Sequence, residues 1–265
     1  MERQKILEGK EVVVNPYFIG HEPIRIILSV PCNEKTKETL VSQLAHIDGI
    51  ILILDWQGPI VHLLVFCEDE AAISRKIQLI SSICGCDDPV ILRNSEALGF
   101  YKCKLRANTK DLMILQSIRK NPRKRVQQIA REIHLSSRTV ERRIGVLTSD
   151  HAFFHMVRMG FENLDGLTCS IFVFYTNQAQ KLVSDSEISS RLQRLVFSAT
   201  NGTKISQFTF VCKNVAEAEN ILHWVRTLDG IEKIMMGFVT KYILVTEWLD
   251  YEINAELSRR HKTKC

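Results

Sequence analysis

The chain repeats itself. Residues 65–71, VFCEDEA, align with residues 210–216, FVCKNVA, at an offset of 145 that also superimposes Cys67 on Cys212 and Gly85 on Gly230. Identity this sparse gains weight from element order, because two segments with the same succession of strand and helix periods imply two copies of one supersecondary unit. In the first copy IRIILSVP, from Ile24, reads as a strand, and EKTKETLVSQLAHI places Leu40, Val41, Leu44 and Ile47 at helical spacing. ILILDWQ and IVHLLVFCE flank a Gly58-Pro59 turn as a hairpin. Ile73, Ile77, Ile80 and Ile83 mark a second helix that stops at Gly85, and PVILR closes the unit. The order is βαββαβ, a split-βαβ sheet with both helices on one face. The last third repeats it. LTCSIFVFY is a strand, SEISSRLQRLV a helix, and FSATNGT with KISQFTFVCK a hairpin around Gly202. VAEAENILHWVRTLDG is a helix with Ile221, Leu222, Val225 and Leu228 inward, and IEKIMMGFV is the final strand.

The middle third differs in both period and charge. Between residues 101 and 149, 13 Lys and Arg face three acidic residues, a local net charge of +10 in a chain whose total is +5. A basic centre between mildly acidic flanks selects polyanionic partners. DLMILQSIRK, RVQQIAREI and SRTVERRIGVLTS are three short helices separated by NPR and HLS. Asn121-Pro122 ends the first, because a residue before proline disfavours the helical region, and Ser136 is a good N-cap for the third. AFFHMVRM follows as a strand.

Three helices at this spacing fit a helix-turn-helix, in which the third helix lies in the major groove. Ala130 supplies the small residue that lets helices approach, and Ile129, Ile133, Leu135 and Val140 anchor the turn. His134 stands where such turns often hold glycine, and histidine is among the residues that tolerate positive φ. On the third helix Val140, Ile144 and Leu147 form one buried stripe, so Arg138, Arg142, Gly145 and Ser149 fall on the other side. Arginine bonds guanine edges or phosphates bidentately, and Arg138, nearest the helix start, is the better candidate for base contact. Ser136, Ser137 and Thr139 can donate to phosphate beside the helix N-terminus. Lys120, Arg123, Lys124 and Arg125, where the first helix gives way to the second, suit backbone anchoring, whereas Arg143 sits close to the buried stripe and is suited to an intramolecular partner.

The segment DLMILQSIRKNPRKRVQQIAREIHLSSRTVERRIGVL resembles the opening helix-turn-helix of the Lrp/AsnC, or feast/famine, transcription regulators, and the βαββαβ unit behind it resembles their RAM sensing domain. The likeness covers residues 109 to about 248, and the lead-in ILEGKEVVVNPYFIG is similar to the family's link between reading head and sensor. It implies an α+β chain with a winged helix-turn-helix between two ferredoxin-like, RAM-like domains. The expected division is a lead-in strand and linker at 1–23, a RAM-like domain at 24–95, a linker at 96–108, the DNA-binding domain at 109–159, a second RAM-like domain at 160–248 and a basic tail at 249–265. Two origins for the headless first third stand open, a duplicated regulator that lost its first reading head or a chain that starts upstream of Met1. Family members pair through their sensing sheets and bind amino acids there. The resemblance therefore implies a homodimer or higher oligomer, or two sensor domains paired within one chain, and an amino-acid-like effector near Gly58 and Gly202. Val61 and Ile205 occupy the positions where the family carries an acidic partner for the amino group, and both glycines also suit simple turns.

The same composition argues against other classes. Eight cysteines are scattered through apolar runs, as free thiols in a reducing compartment are. Cys84 and Cys86 have no second pair or histidine nearby to complete a tetrahedral site, so no metal is indicated, nor any cofactor. The longest apolar run, IILIL, is far too short to span a membrane, and a cytoplasmic protein is expected. No Walker loop, nucleophile elbow, dinucleotide fingerprint or paired carboxylates are present. The expectation is a non-enzymatic, sequence-specific DNA-binding transcription regulator. Two alternatives share the architecture, a siroheme-decarboxylase-like enzyme and a ligand-sensing or assembly protein that never touches DNA.

Overall fold

The computed structural model describes residues 7–30, 34–93, 100–161, 164–192, 194–199 and 204–262. Strand β1 (Leu7–Val14) leads through a 3₁₀ turn at Pro16–Ile19 into the first unit: β2 (Glu22–Ser29), α1 (Glu34–Leu44), β3 (Ile50–Trp56), β4 (Ile60–Cys67), α2 (Glu70–Cys84) and β5 (Val90–Leu92). Three helices follow, α3 (Thr109–Ile118), α4 (Val126–Glu132) and α5 (Ser137–Ser149), and then β6 (Phe153–Met159). The second unit is β7 (Leu167–Tyr175), α6 (Gln178–Arg191), β8 (Leu195–Ala199), β9 (Ile205–Cys212), α7 (Val215–Arg226) and β10 (Ile231–Leu244), and α8 (Glu247–Lys262) closes the described chain.

Both units are ferredoxin-like. Their strand orders, β5-β2-β4-β3 and β10-β7-β9-β8, are the same permutation of the same βαββαβ connection. They join because β10 is hydrogen-bonded on both edges. Ile231–Phe238 pairs antiparallel with β7, and Val239–Leu244 pairs antiparallel with β3, which makes one eight-stranded sheet. The two units thus pair within one chain, one of the modes of association expected for them. Each unit keeps its own core, one built on Ile24, Ile26, Leu63 and Ile80, the other on Ile171, Val173, Phe208 and Val225. A third apolar cluster, with Ile27, Trp56, Phe172 and Val239, fills the seam between them. Gly237 belongs to that seam, since a Cβ there would lie 2.2 Å from the Trp56 ring.

Three expectations need correction. The first helix of the second unit starts at Gln178, capped by the Asn177 side chain on the Gln180 amide, and its last turn ends before Leu195, which is already in β8. Leu182 and Val183, exposed on that helix, blur the apolar stripe that would have announced it. The final strand runs on through TKYIL to reach β3. The basic tail expected from 249 onward is helix α8, whose Leu249 and Ile253 are fully buried. Gly202 lies outside the described residues.

The three central helices do not bury their core alone. Leu112, Leu115, Ile129, Val140 and Leu147 pack with Val12, Val14 and Phe18 from the lead-in and with Ile253 from α8. Strand β6 pairs with β1 in register Val12↔His155, so the sheet behind the helices is half made of residues 7–14. Arg119 locks this junction. Its guanidinium is fully buried and donates to Val12 O at 3.1 Å, to Thr246 O at 2.7 Å and to Asp250 Oδ1 at 2.5 Å.

Replacing Gly237 by Val should destabilise the protein by about 1–3 kcal/mol or more, the cost of overpacking a closed core. Denaturant unfolding of the full chain measures it, and an unchanged midpoint would show that the seam is looser than described.

Candidate nucleic-acid interface

Helix α5 is set by its cap and its inner stripe. The Ser136 hydroxyl accepts from the Thr139 amide at 3.2 Å and meets the Thr139 hydroxyl at 2.8 Å. The turn before it carries His134 at φ 54, the left-handed geometry that glycine usually supplies. Val140 and Leu147 are fully buried and Ile144 is packed against them. Arg143 reaches inward as the sequence suggested, donating from Nε at 2.6 Å to the fully buried Asp111 and forming a second bond to its other oxygen. That fork ties α5 to the start of α3, where Asp111 also sits in the first turn.

The other side of α5 is bare. Arg138, Arg142, Gly145 and Ser149 are all exposed, and the two arginines enter no hydrogen bond or ion pair among the described residues. An added Cβ on Gly145 would meet nothing within 4 Å, so nothing inside the chain requires glycine there. Ser137 stands half-exposed at the first turn, where helix amides without intrahelical partners and the helix dipole favour an anion.

The four cations expected to anchor a backbone are not equivalent. Arg123 and Arg125 are exposed. Lys120 is exposed but lies 3.4 Å from an oxygen of Asp250. Lys124 is drawn toward the fold, with its ammonium on Glu132 and at 3.0 Å from Ser117 O. With Arg119 and Arg143 also turned inward, the cationic face is smaller than the raw count of basic residues implies. Gly58, by contrast, makes a turn at φ 77 between β3 and β4 and accepts a hydrogen bond from Lys37 at 2.6 Å.

Residues 108–151 match the family of winged helix-turn-helix DNA-binding domains. The matched span takes in the three central helices α3, α4 and α5. Solved structures with a similar fold include the siroheme decarboxylase NirDL, at TM-score 0.65 and 10% identity, covering 98% of this chain and 86% of that one. Escherichia coli AsnC matches at TM-score 0.41 and 15% identity over 52% of this chain and 94% of its own. Bacillus subtilis LrpC matches at TM-score 0.40 and 16% identity, over 52% and 98%. The sequence match to winged helix-turn-helix domains falls in the segment that carries the expected resemblance to Lrp/AsnC regulators. No curated protein matches the sequence. The expectation of a non-enzymatic protein does not stand, because the architecture matched over nearly the whole chain is that of an enzyme.

A second polar cluster, missed in the sequence, lies in the seam between the sheets. Arg25 Nη1 donates to Gln207 Oε1 at 2.8 Å, and Gln207 Nε2 bonds Ser170 Oγ at 3.0 Å. His62 is buried beside them, with neither ring nitrogen hydrogen-bonded among the described residues. Burial, and then the charge of Arg25, hold its pKa well below the ordinary value. Trp56 and Phe172 stack at 5.8 Å across the seam, and Phe172 meets the His62 ring edge-on at 5.3 Å. The sequence placed these residues in strands without marking them as a cluster, and only the pairing of the two units brings them together. Among the described residues no helix is long and apolar enough to cross a membrane.

An exposed glycine inside a helix with open space around it costs stability. Gly145→Ala should raise the unfolding free energy by about 1 kcal/mol, measured by denaturant unfolding. A loss of stability instead would mean that Gly145 is required by the fold.

Proposed function

We propose that the protein is a sequence-specific double-stranded DNA-binding transcription regulator, with α5 as the recognition helix in the major groove. The observation that carries the reading is the division of labour on α5. One face is closed into the core, with Arg143 consumed by Asp111, while Arg138 and Arg142 project without partners from a module of a DNA-binding family. Two guanidinium groups held on a capped, rigid helix have the geometry to read base edges or grip phosphates.

In this reading Arg138 contacts bases, Arg142 bases or phosphate, and Ser137 with the adjoining amides a phosphate. Arg123, Arg125 and Lys120 follow the backbone, whereas Lys124 supports the turn through Glu132. Ser136 and Thr139 keep their capping roles and flank the same phosphate. Gly145 gives the duplex a close approach. One reading head per chain covers a single half-site, so two chains share one operator. The paired ferredoxin-like domains serve as the assembly and sensing body, and an amino-acid-like effector beside the Gly58 turn is its simplest input.

A second reading rests on the seam. Arg25, Gln207 and the unbonded His62 ring form a buried basic cluster in a fold shared with the siroheme decarboxylase NirDL, one structure of which is a complex with an iron-uroporphyrin III analogue. A carboxylated tetrapyrrole is the substrate class this would take. Trp56 and Phe172 fill the seam, so such a ligand would have to displace them, and this places the reading second.

DNA affinity should fall steeply with salt, by a slope of about −0.9 per phosphate contact in log–log form. Arg138→Ala should cost about 1–3 kcal/mol of discrimination at one base position, and Arg125→Ala should weaken all duplexes alike and lower the salt slope by about 1. Fluorescence anisotropy across a salt series reads both, and salt-insensitive affinity would refute DNA binding. For the second reading, a shift of the Soret band of an added iron tetrapyrrole away from its position in free solution, lost in His62→Leu, is the expected sign. No shift, or one indifferent to His62, removes it.

A further inference from the structure

Away from both sites, three chemically matched groups converge on one corner. His21 follows the 3₁₀ turn, Glu68 follows β4, and Glu252 lies on α8. One ligand atom from each, an imidazole nitrogen and two carboxylate oxygens, lies within 4.8 Å of the others. They share the wall of a cleft of about 380 Å³ that Trp248, Tyr251 and Lys76 also line.

The histidine is what distinguishes this corner from a surface patch of acids. His21 is only 4% exposed, and its ring is held by Trp248, edge-on at 5.2 Å. Its Nδ1 lies 3.1 Å from Ile19 O, and a carbonyl can only accept, so Nδ1 carries the proton. Nε2 is therefore a bare lone pair. It has no hydrogen bond among the described residues, and Glu68 Oε1 lies 4.0 Å from it. Burial also lowers the His21 pKa. A buried imidazole whose far nitrogen is fixed by a backbone carbonyl has the tautomer and orientation that metal-ligating histidines adopt.

We propose that His21 Nε2, Glu68 and Glu252 bind one divalent first-row transition-metal ion, of the Zn2+, Co2+ or Mn2+ class. One nitrogen with two carboxylate oxygens is a borderline donor set that suits these ions. Metal–ligand bonds of about 2.0–2.2 Å set neighbouring donors roughly 3.0–3.5 Å apart, so the corner must tighten by about an ångström. Glu68, 66% exposed at its side chain, is free to make that movement. Glu252 accepts from Arg259 at 2.8 Å and would share its carboxylate between that cation and the metal. The remaining coordination positions face the cleft and are open to water or a small anion. Because Asp250 of α8 also holds Arg119, the ion would fasten the helix that braces the reading head to the first ferredoxin-like unit.

The test uses the full chain without DNA, after chelator treatment. Calorimetric titration with Zn2+ and the visible d–d absorption of added Co2+ should both report one ion per chain. Glu68→Gln, at an exposed position that folding tolerates, and Glu252→Gln should each weaken binding by about tenfold or more. Replacing Cys84 and Cys86 by Ser should leave it unchanged. The proposal is overturned if no ion binds stoichiometrically, or if affinity survives both glutamate replacements.

Discussion

Everything in this molecule is organised by one strand that is hydrogen-bonded along both edges. The first half of β10 belongs to the sheet of its own unit and the second half to that of the other, so two ferredoxin-like units form a single sheet in one polypeptide. Backbone pairing of this kind tolerates no slip, since a shift of one residue would turn Val239 and the other seam residues to the wrong face. Gly237 allows the close passage, with Trp56 packed over the position its missing side chain would fill. The two ferredoxin-like units are thus paired within one chain, and among the described residues one three-helix module is attached to them.

How that head is attached decides whether it can act. Its core is completed by Val12 and Val14 from the lead-in and by Ile253 from α8, elements that lie at opposite ends of the described chain. The buried Arg119 guanidinium joins the same three parts through Val12, Thr246 and Asp250. A buried charge is tolerable only where its donors are matched, and these three acceptors take one N–H from each nitrogen of the group. The three-helix module is therefore joined to β1 and α8 through both its core and a buried charged contact.

Much of this was legible from residue patterns. Period-two strands and isoleucine stripes gave the first unit, and the charge map with the NPR and HLS breaks located the three helices. Arg143 was expected to turn inward because of its angle to the Val140–Leu147 stripe, and it does. What escaped had physical reasons. The apolar signal of α6 is confused by exposed Leu182 and Val183, and only the Asn177 cap marks its start. Helix α8 hides among charges because just one narrow face, Leu249 and Ile253, is buried. Formal charge overstates the cationic surface, since Arg119, Lys124 and Arg143 spend theirs on Asp250, Glu132 and Asp111. The His62 and Arg25 cluster and the His21, Glu68 and Glu252 corner exist only once distant segments meet. No spacing rule connects residues so far apart in the chain.

Fold alone does not choose between a regulator and an enzyme, because one architecture can host unrelated chemistries. The choice rests on side chains, and on α5 above all. The most direct measurement is a binding selection of the full chain against randomised duplexes, run in parallel with Arg138→Ala. The account predicts recovery of one enriched motif, with the preference at a single base position relaxed in the variant. Recovery of no motif, or of a motif indifferent to Arg138 and Arg142, would contradict it.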